Sequence, residues 1–136
     1  MQGNNMLKVL TVDDSSTISR VYQNILPRIF KDKIEIIQAN DGEEGLKHLK
    51  ENQDIRIIFL DINMPIMDGK EMLLNIRKIK EYNQIRVVMV TTEAEKKVVM
   101  TMMKSGANGY IIKPFNFDVM TKSLSTILSR MNIEMK

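Results

Sequence analysis

The sequence has no cysteine and no tryptophan, and a single histidine. Without thiols the chain can hold neither a disulfide framework nor a thiolate-bound metal, and a reducing compartment suits it. No stretch is continuously apolar over the roughly 18 residues that a membrane helix needs. The segment Met1–Met6 is polar and lacks the apolar centre of a secretory signal. The expected location is therefore cytoplasmic, with no membrane partner. Aromatic residues make up 5% of the chain, and no basic run is interleaved with them. The 20 basic and 17 acidic residues leave a net charge of +3, which suits a solvated surface better than a nucleic-acid footprint. With 136 residues the chain is expected to form one domain. A domain of that size buries about two-thirds of the surface its unfolded form exposes.

What is present is an alternation of short apolar runs with helical periodicities. Leu7–Val12 is apolar and rich in β-branched residues, a strand pattern. Ser15-Ser16 offers a helix N-cap, and Ile18, Val21, Tyr22, Ile25, Leu26 and Ile29 recur at helical spacing. Pro27 is expected to end or kink that helix, near Leu26. Ile34–Ala39 reads as a second strand, and Asn40-Asp41-Gly42 as turn and cap. Gly45, Leu46 and Leu49 line a second helix that closes at Glu51-Asn52-Gln53. Ile57–Leu60 is a third strand that stops at Asp61, before a turn-forming stretch with Pro65 and Gly69. Met72, Leu73, Ile76 and Ile79 mark a third helix. Arg86–Val90 reads as the fourth strand, Glu93–Ser105 as a fourth helix stopped by Gly106, and Gly109–Ile112 as the fifth strand. Phe117–Met131 is the fifth helix.

Near-continuous apolar strands separated by helices predict an α/β domain with a parallel sheet covered on both faces. The expected boundaries are a polar tail at 1–6, the domain at 7–131 and a C-terminal tail at 132–136, with no room after the last helix for an output domain.

The strand ends carry the chemistry. The first ends in Asp13 and Asp14, the third in Asp61, the fourth in Thr91 and the fifth in Lys113. In a parallel sheet these ends share one edge, where ligands of open α/β sheets bind. Any one polar residue there is unremarkable; the whole set is not. Three carboxylates in one pocket repel one another unless a hard divalent cation offsets them, and Mg²⁺ favours a few carboxylates with water and phosphate oxygens. Acids, a metal, an ammonium and a hydroxyl together suit phosphoryl transfer. Asp61, the most central acid, is the expected nucleophile.

With Val12-Asp13-Asp14, Asp61-Ile62-Asn63-Met64-Pro65, Met67-Asp68-Gly69, Thr91-Thr92-Glu93-Ala94 and Gly106-Ala107-Asn108-Gly109-Tyr110 before Lys113-Pro114-Phe115, the chain resembles receiver domains of two-component response regulators. The resemblance covers about residues 7 to 131 and extends closely to single-domain chemotaxis regulators. It implies a flavodoxin-like, doubly wound sheet of strand order 2-1-3-4-5. It implies that Asp61 is phosphorylated and that Mg²⁺ is held by Asp14, Asp61 and the Asn63 carbonyl, with Asp13 acting through water. Lys113 would pair with Asp61 and then with the phosphoryl group. Thr91 would hydrogen-bond that group and move inward. Tyr110 would follow as the second switch residue, and the Lys113–Pro114 bond would be cis. Lys96, Val99, Met103 and Tyr110 would lie on the face of helix 4, strand 5 and helix 5 that docks an output partner. Whether Met102 and Met103 serve the core or that face stays open here.

The partners so implied are a CheA-like sensor histidine kinase, a flagellar motor switch protein or other output partner, and a phosphatase, with the regulator itself a monomer. His48 lies in a polar helical stretch and reads as solvated, so the donor histidine would come from the kinase. Thr92 stands where a small residue is common and would narrow access to the phosphoryl group. A phosphorelay intermediate or phosphate sink is the alternative within the class. A haloacid-dehalogenase-type phosphohydrolase would need a second acid two residues after the nucleophile, where this chain has Asn63. The chain is thus expected to be a phospho-accepting signalling protein with no enzymatic turnover beyond its own phosphorylation and dephosphorylation.

Overall fold

In the computed structural model, which describes residues 6–136, the first strand is β1 (Leu7–Val12). It is followed by α1 (Ser16–Ile29), β2 (Ile34–Ala39), α2 (Gly42–Glu51), β3 (Ile55–Leu60) and α3 (Gly69–Lys78). A 3-10 turn at Lys80–Tyr82 then leads to β4 (Arg86–Thr91), α4 (Lys96–Lys104), β5 (Gly109–Ile112) and α5 (Phe117–Ser129). The strands form one parallel sheet in the order β2-β1-β3-β4-β5, as expected. Residues 1–5 of the expected polar tail lie outside the described residues. Among the described residues no helix is long and apolar enough to cross a membrane.

Alternate residues of each strand feed two cores. Val9, Ile57, Phe59, Val88 and Ile111 face α1 and α5, where Tyr22, Leu26, Leu124 and Leu128 meet them. Leu10, Ile58, Leu60, Val87 and Met89 face Leu49, Met72, Leu73, Ile76 and Met102 of α2, α3 and α4. Each such side chain contributes about 1.5–3 kcal/mol by leaving water. Ser15, Asp41, Asp68 and Asn116 each accept a backbone N–H at the start of a helix, a cap that stabilises by about 1 kcal/mol.

β3 begins two residues earlier than expected, at Ile55, and β4 runs one residue further, to Thr91; the larger differences are at helix boundaries. Helix α1 runs through Pro27 to Ile29. Proline withholds one N–H, but Gln23 and Pro27 lie on the exposed side, while Ile29 and Phe30 are buried and hold the last turn down. Helix α4 begins at Lys96, not Glu93, because the Glu93 carbonyl accepts the Tyr110 hydroxyl instead of a helical N–H. Helix α5 gives way after Ser129 to a turn in which Asn132 adopts φ 57°. Residues 132–136, expected as a tail, fold back on α1: Ile133 is buried, Met135 bridges to Phe30, and the Lys136 amide donates to Ile29 O at 2.8 Å.

Candidate functional site

The backbone ladder continues past the strand ends and fixes the polar residues there. Asp61 N donates to Val12 O at 3.0 Å, Asp13 N to Ala39 O at 3.0 Å, and Lys113 N to Thr91 O at 2.8 Å. Asp13, Asp61 and Thr91 are buried, whereas Asp14 is exposed. One carboxylate oxygen from each of Asp13, Asp14 and Asp61 lies within 4.8 Å of the others. Hard oxygen donors so grouped, with one side open to water, fit a divalent cation of the Mg²⁺ kind.

The Lys113 ammonium spans two of these acids, donating to Asp13 Oδ2 at 2.6 Å and to Asp61 Oδ2 at 3.1 Å. Burial alone would lower its pKa, but the two carboxylates outweigh burial and hold it raised. Burial also pushes the Asp13 carboxyl up, against the hydrogen bonds from Lys113 and the Ser15 amide. The Asp61 carboxylate accepts its second bond from Ile62 N at 2.7 Å. The sequence anticipated Lys113 beside Asp61; its closer contact is with Asp13, from the opposite side of β3 in strand order.

The loop after β3 is shaped by main chain. A side chain on Gly69 would put its Cβ 1.9 Å from the carbonyl oxygen of Asp61, so only glycine fits there. Gly69 N donates to Ile62 O at 2.8 Å and closes the loop. At its tip Ile66 has φ 66° and is 76% exposed, held by a tight turn from Met67 N to Pro65 O.

Glu93, which the sequence sets beside Thr91 at the flank of the site, joins the edges of the site through three hydrogen bonds. Its carboxylate accepts Asn63 Nδ2 at 3.2 Å, its amide donates to Thr91 Oγ1 at 3.4 Å, and its carbonyl accepts the Tyr110 hydroxyl at 2.7 Å. The Thr two residues before it also favours a local side-chain turn, while the bond to Tyr110 has no mark in the sequence. Tyr110 is half-buried, and burial first, then Glu93 and Asp61, raises its pKa. The Lys113–Pro114 bond is cis. Of the candidate docking residues, Lys96 and Met103 are exposed and Val99 is half-buried, while Met102 is in the core. His48 lies on α2, 4.0 Å from each of Glu44 and Glu51.

The family described as the response regulator receiver domain matches residues 9–125. A chemotaxis protein CheY homolog of Campylobacter jejuni is 39% identical over 122 residues, covering 90% of this chain and 92% of that protein. The solved structure of chemotaxis response regulator CheY4 of Vibrio cholerae matches with a TM-score of 0.80 at 32% identity, covering 91% of this chain and 100% of that one. A CheX-CheY-BeF3-Mg complex from Borrelia burgdorferi matches with a TM-score of 0.78 at 31% identity, covering 92% and 89%.

Proposed function

Because this chain belongs to the response regulator receiver domain family, we propose that it is a chemotaxis-type docking module switched by phosphorylation of Asp61. The observation that carries this reading is the Lys113 ammonium bridging Asp13 and Asp61 from two other strand ends. An oxygen of Asp61 attacks the phosphorus of a phosphohistidine on a sensor kinase. The O–P bond forms as the P–N bond breaks, and the departing imidazole takes a proton from solvent. Lys113 exchanges its contact with Asp61 for one with the phosphoryl oxygens, and the Thr91 hydroxyl donates to them. A divalent cation held by Asp14, Asp61 and the Asn63 carbonyl, with Asp13 acting through water, would supply the neutralising charge.

The readout follows from Glu93. A change at Thr91 reaches Tyr110 through a residue bonded to both. The face bearing Lys96, Val99, Met103 and Tyr110 then docks the output partner, a flagellar motor switch protein in the first instance. A CheX-like protein is a second candidate for the phosphorylated form, by analogy with the Borrelia relative. Phosphorylation biases a two-state surface by local charge.

Incubation with a small phosphodonor and Mg²⁺ should label the protein in a base-labile form, and Asp61→Asn should abolish the label. Persistent labelling of that variant would remove Asp61 as acceptor. Beryllofluoride with Mg²⁺ should increase binding to a motor-switch peptide. Rapid transfer of the phosphoryl group to a histidine phosphotransfer protein, without such binding, would make the chain a relay intermediate instead.

A further inference from the structure

The amino-terminal edge of the sheet, opposite the acid cluster, gathers guanidinium groups that form no ion pair among the described residues. Arg56 lies at the start of β3 and Arg86 at the start of β4, and the register sets Ile57 against Arg86, so the two arginines stand on adjoining strands. Arg130 caps the end of α5. All three line one open hollow of about 330 Å³. Arg86 and Arg130 also line a second, of about 370 Å³, that extends to Asn108 and Tyr110. The two hollows therefore meet at Arg86 and Arg130.

Among the described residues none of these three arginines forms an ion pair within 4.0 Å. Two acids line the first hollow, Asp54 and Glu81, and Asp54 is paired with Lys8 at 3.1 Å. Arg56 is held in place by a hydrogen bond from Nη2 to Met131 O at 3.2 Å. Arg77 lies close enough behind Arg86 to be repelled by it: burial lowers its pKa first, and Arg86 adds to the shift. Solvation explains arginines on a convex surface, and the α5 C-terminus favours Arg130 alone. Neither accounts for several like charges around a shared concavity lined with amide side chains.

We propose that this edge is a binding site for a small polyanion carrying at least two phosphate groups, seated at Arg86 and Arg130 and reached by Arg56. Guanidinium forks match phosphate oxygens in pairs, and each hollow is at the lower end of the size range of small-ligand sites, roughly 300–1,000 Å³. The site is separate from the acid cluster and independent of the phosphorylation reading.

The test is an amide-resolved NMR titration of the metal-free protein in EDTA with inorganic pyrophosphate. Excluding metal keeps the probe from reaching the carboxylates through a cation. Saturable shifts at Arg56, Arg86, Asn108 and Arg130 are expected. Each arginine-to-glutamine change should weaken binding by about tenfold, so R86Q/R130Q should lose about a hundredfold. R130Q alone carries the test if the double variant fails to fold. R20Q, on an exposed turn of α1, should change nothing. Absence of saturation, or equal weakening by R20Q, would overturn the site. Equal affinity for inorganic phosphate would overturn the two-group ligand, and tighter binding of a hexaglutamate peptide would replace it with an acidic chain.

Discussion

The ammonium of Lys113 is bonded more closely to Asp13 than to Asp61, at 2.6 Å against 3.1 Å. The residue proposed to react is thus the looser of the two partners. Its neighbour, the more buried carboxylate, holds the lysine over the pocket by a contact that does not involve Asp61.

Lys113→Ala should leave three carboxylates facing one another with no internal counter-charge. Breaking a buried pair by removing one partner costs about 3–5 kcal/mol, and urea denaturation in EDTA should show a loss of that order. Mg²⁺ should restore more stability to the variant than it adds to the wild type. An equal gain in both proteins would mean that lysine and metal do not answer the same charge.

The pH dependence follows from Asp13, whose folded-state pKa is raised by burial. Between its ordinary and its raised value the folded form binds more protons than the unfolded, so stability falls as pH rises through that window. Lys113 acts elsewhere: its contribution is complete at neutral pH and is lost only as pH climbs through its raised value. In metal-free protein the difference in melting temperature between wild type and Asp13→Asn should shift against wild type from the acid end upward. Mg²⁺ should reverse that trend, since it favours the ionised acid. A difference that stays flat across the acid range would contradict the assigned burial cost.

Arg77 donates to Gly106 O, Tyr82 O, Ile85 O and Asn108 Oδ1, joining α3 to the 3-10 turn, β4 and the entry to β5. Arg77→Ala should cost about 2–4 kcal/mol, because hydrogen bonds from a charged group contribute about 1.5–3 kcal/mol each and some stranded carbonyls regain water. Thermal unfolding would measure it; a loss under about 1 kcal/mol would show that these bonds are readily replaced.

Met102 and Met103 are adjacent in sequence and opposite in environment, the first buried and the second 43% exposed. Met102→Ala should destabilise by about 2–5 kcal/mol, as large-to-small core changes do. Met103→Ala should change stability by less than about 0.5 kcal/mol while weakening partner binding. Calorimetry together with a binding assay separates the two effects. Equal destabilisation by both variants would remove Met103 from the docking face.

How much of this was legible before folding depends on the kind of signal. Apolar runs and helical spacing located β1, β2 and β5 to the residue, and the polar strand ends pointed to Asp13, Asp14, Asp61, Thr91 and Lys113. Those features are periodic or positional, so a linear string preserves them. The start of α4 is not of that kind: it is set by a hydroxyl 17 residues further on that takes the carbonyl of Glu93. The extension of α1 past Pro27 depends on buried Ile29 and Phe30, a tertiary effect that overrides a local rule. The contact of Lys113 with Asp13 spans 100 residues. Nor does Arg77 carry any mark in sequence, since its partners are mostly main-chain oxygens that every residue possesses.

Because Gly69 rests directly on the carbonyl of Asp61, the place of that residue is dictated by backbone touching backbone. The side chain at the outward tip of the intervening loop is then released from any duty of alignment. An isoleucine can occupy the outward tip at Ile66, in a conformation β-branched residues rarely adopt, without displacing Asp61. The loop tip can in this way vary in sequence while the strand end that carries Asp61 stays where it is.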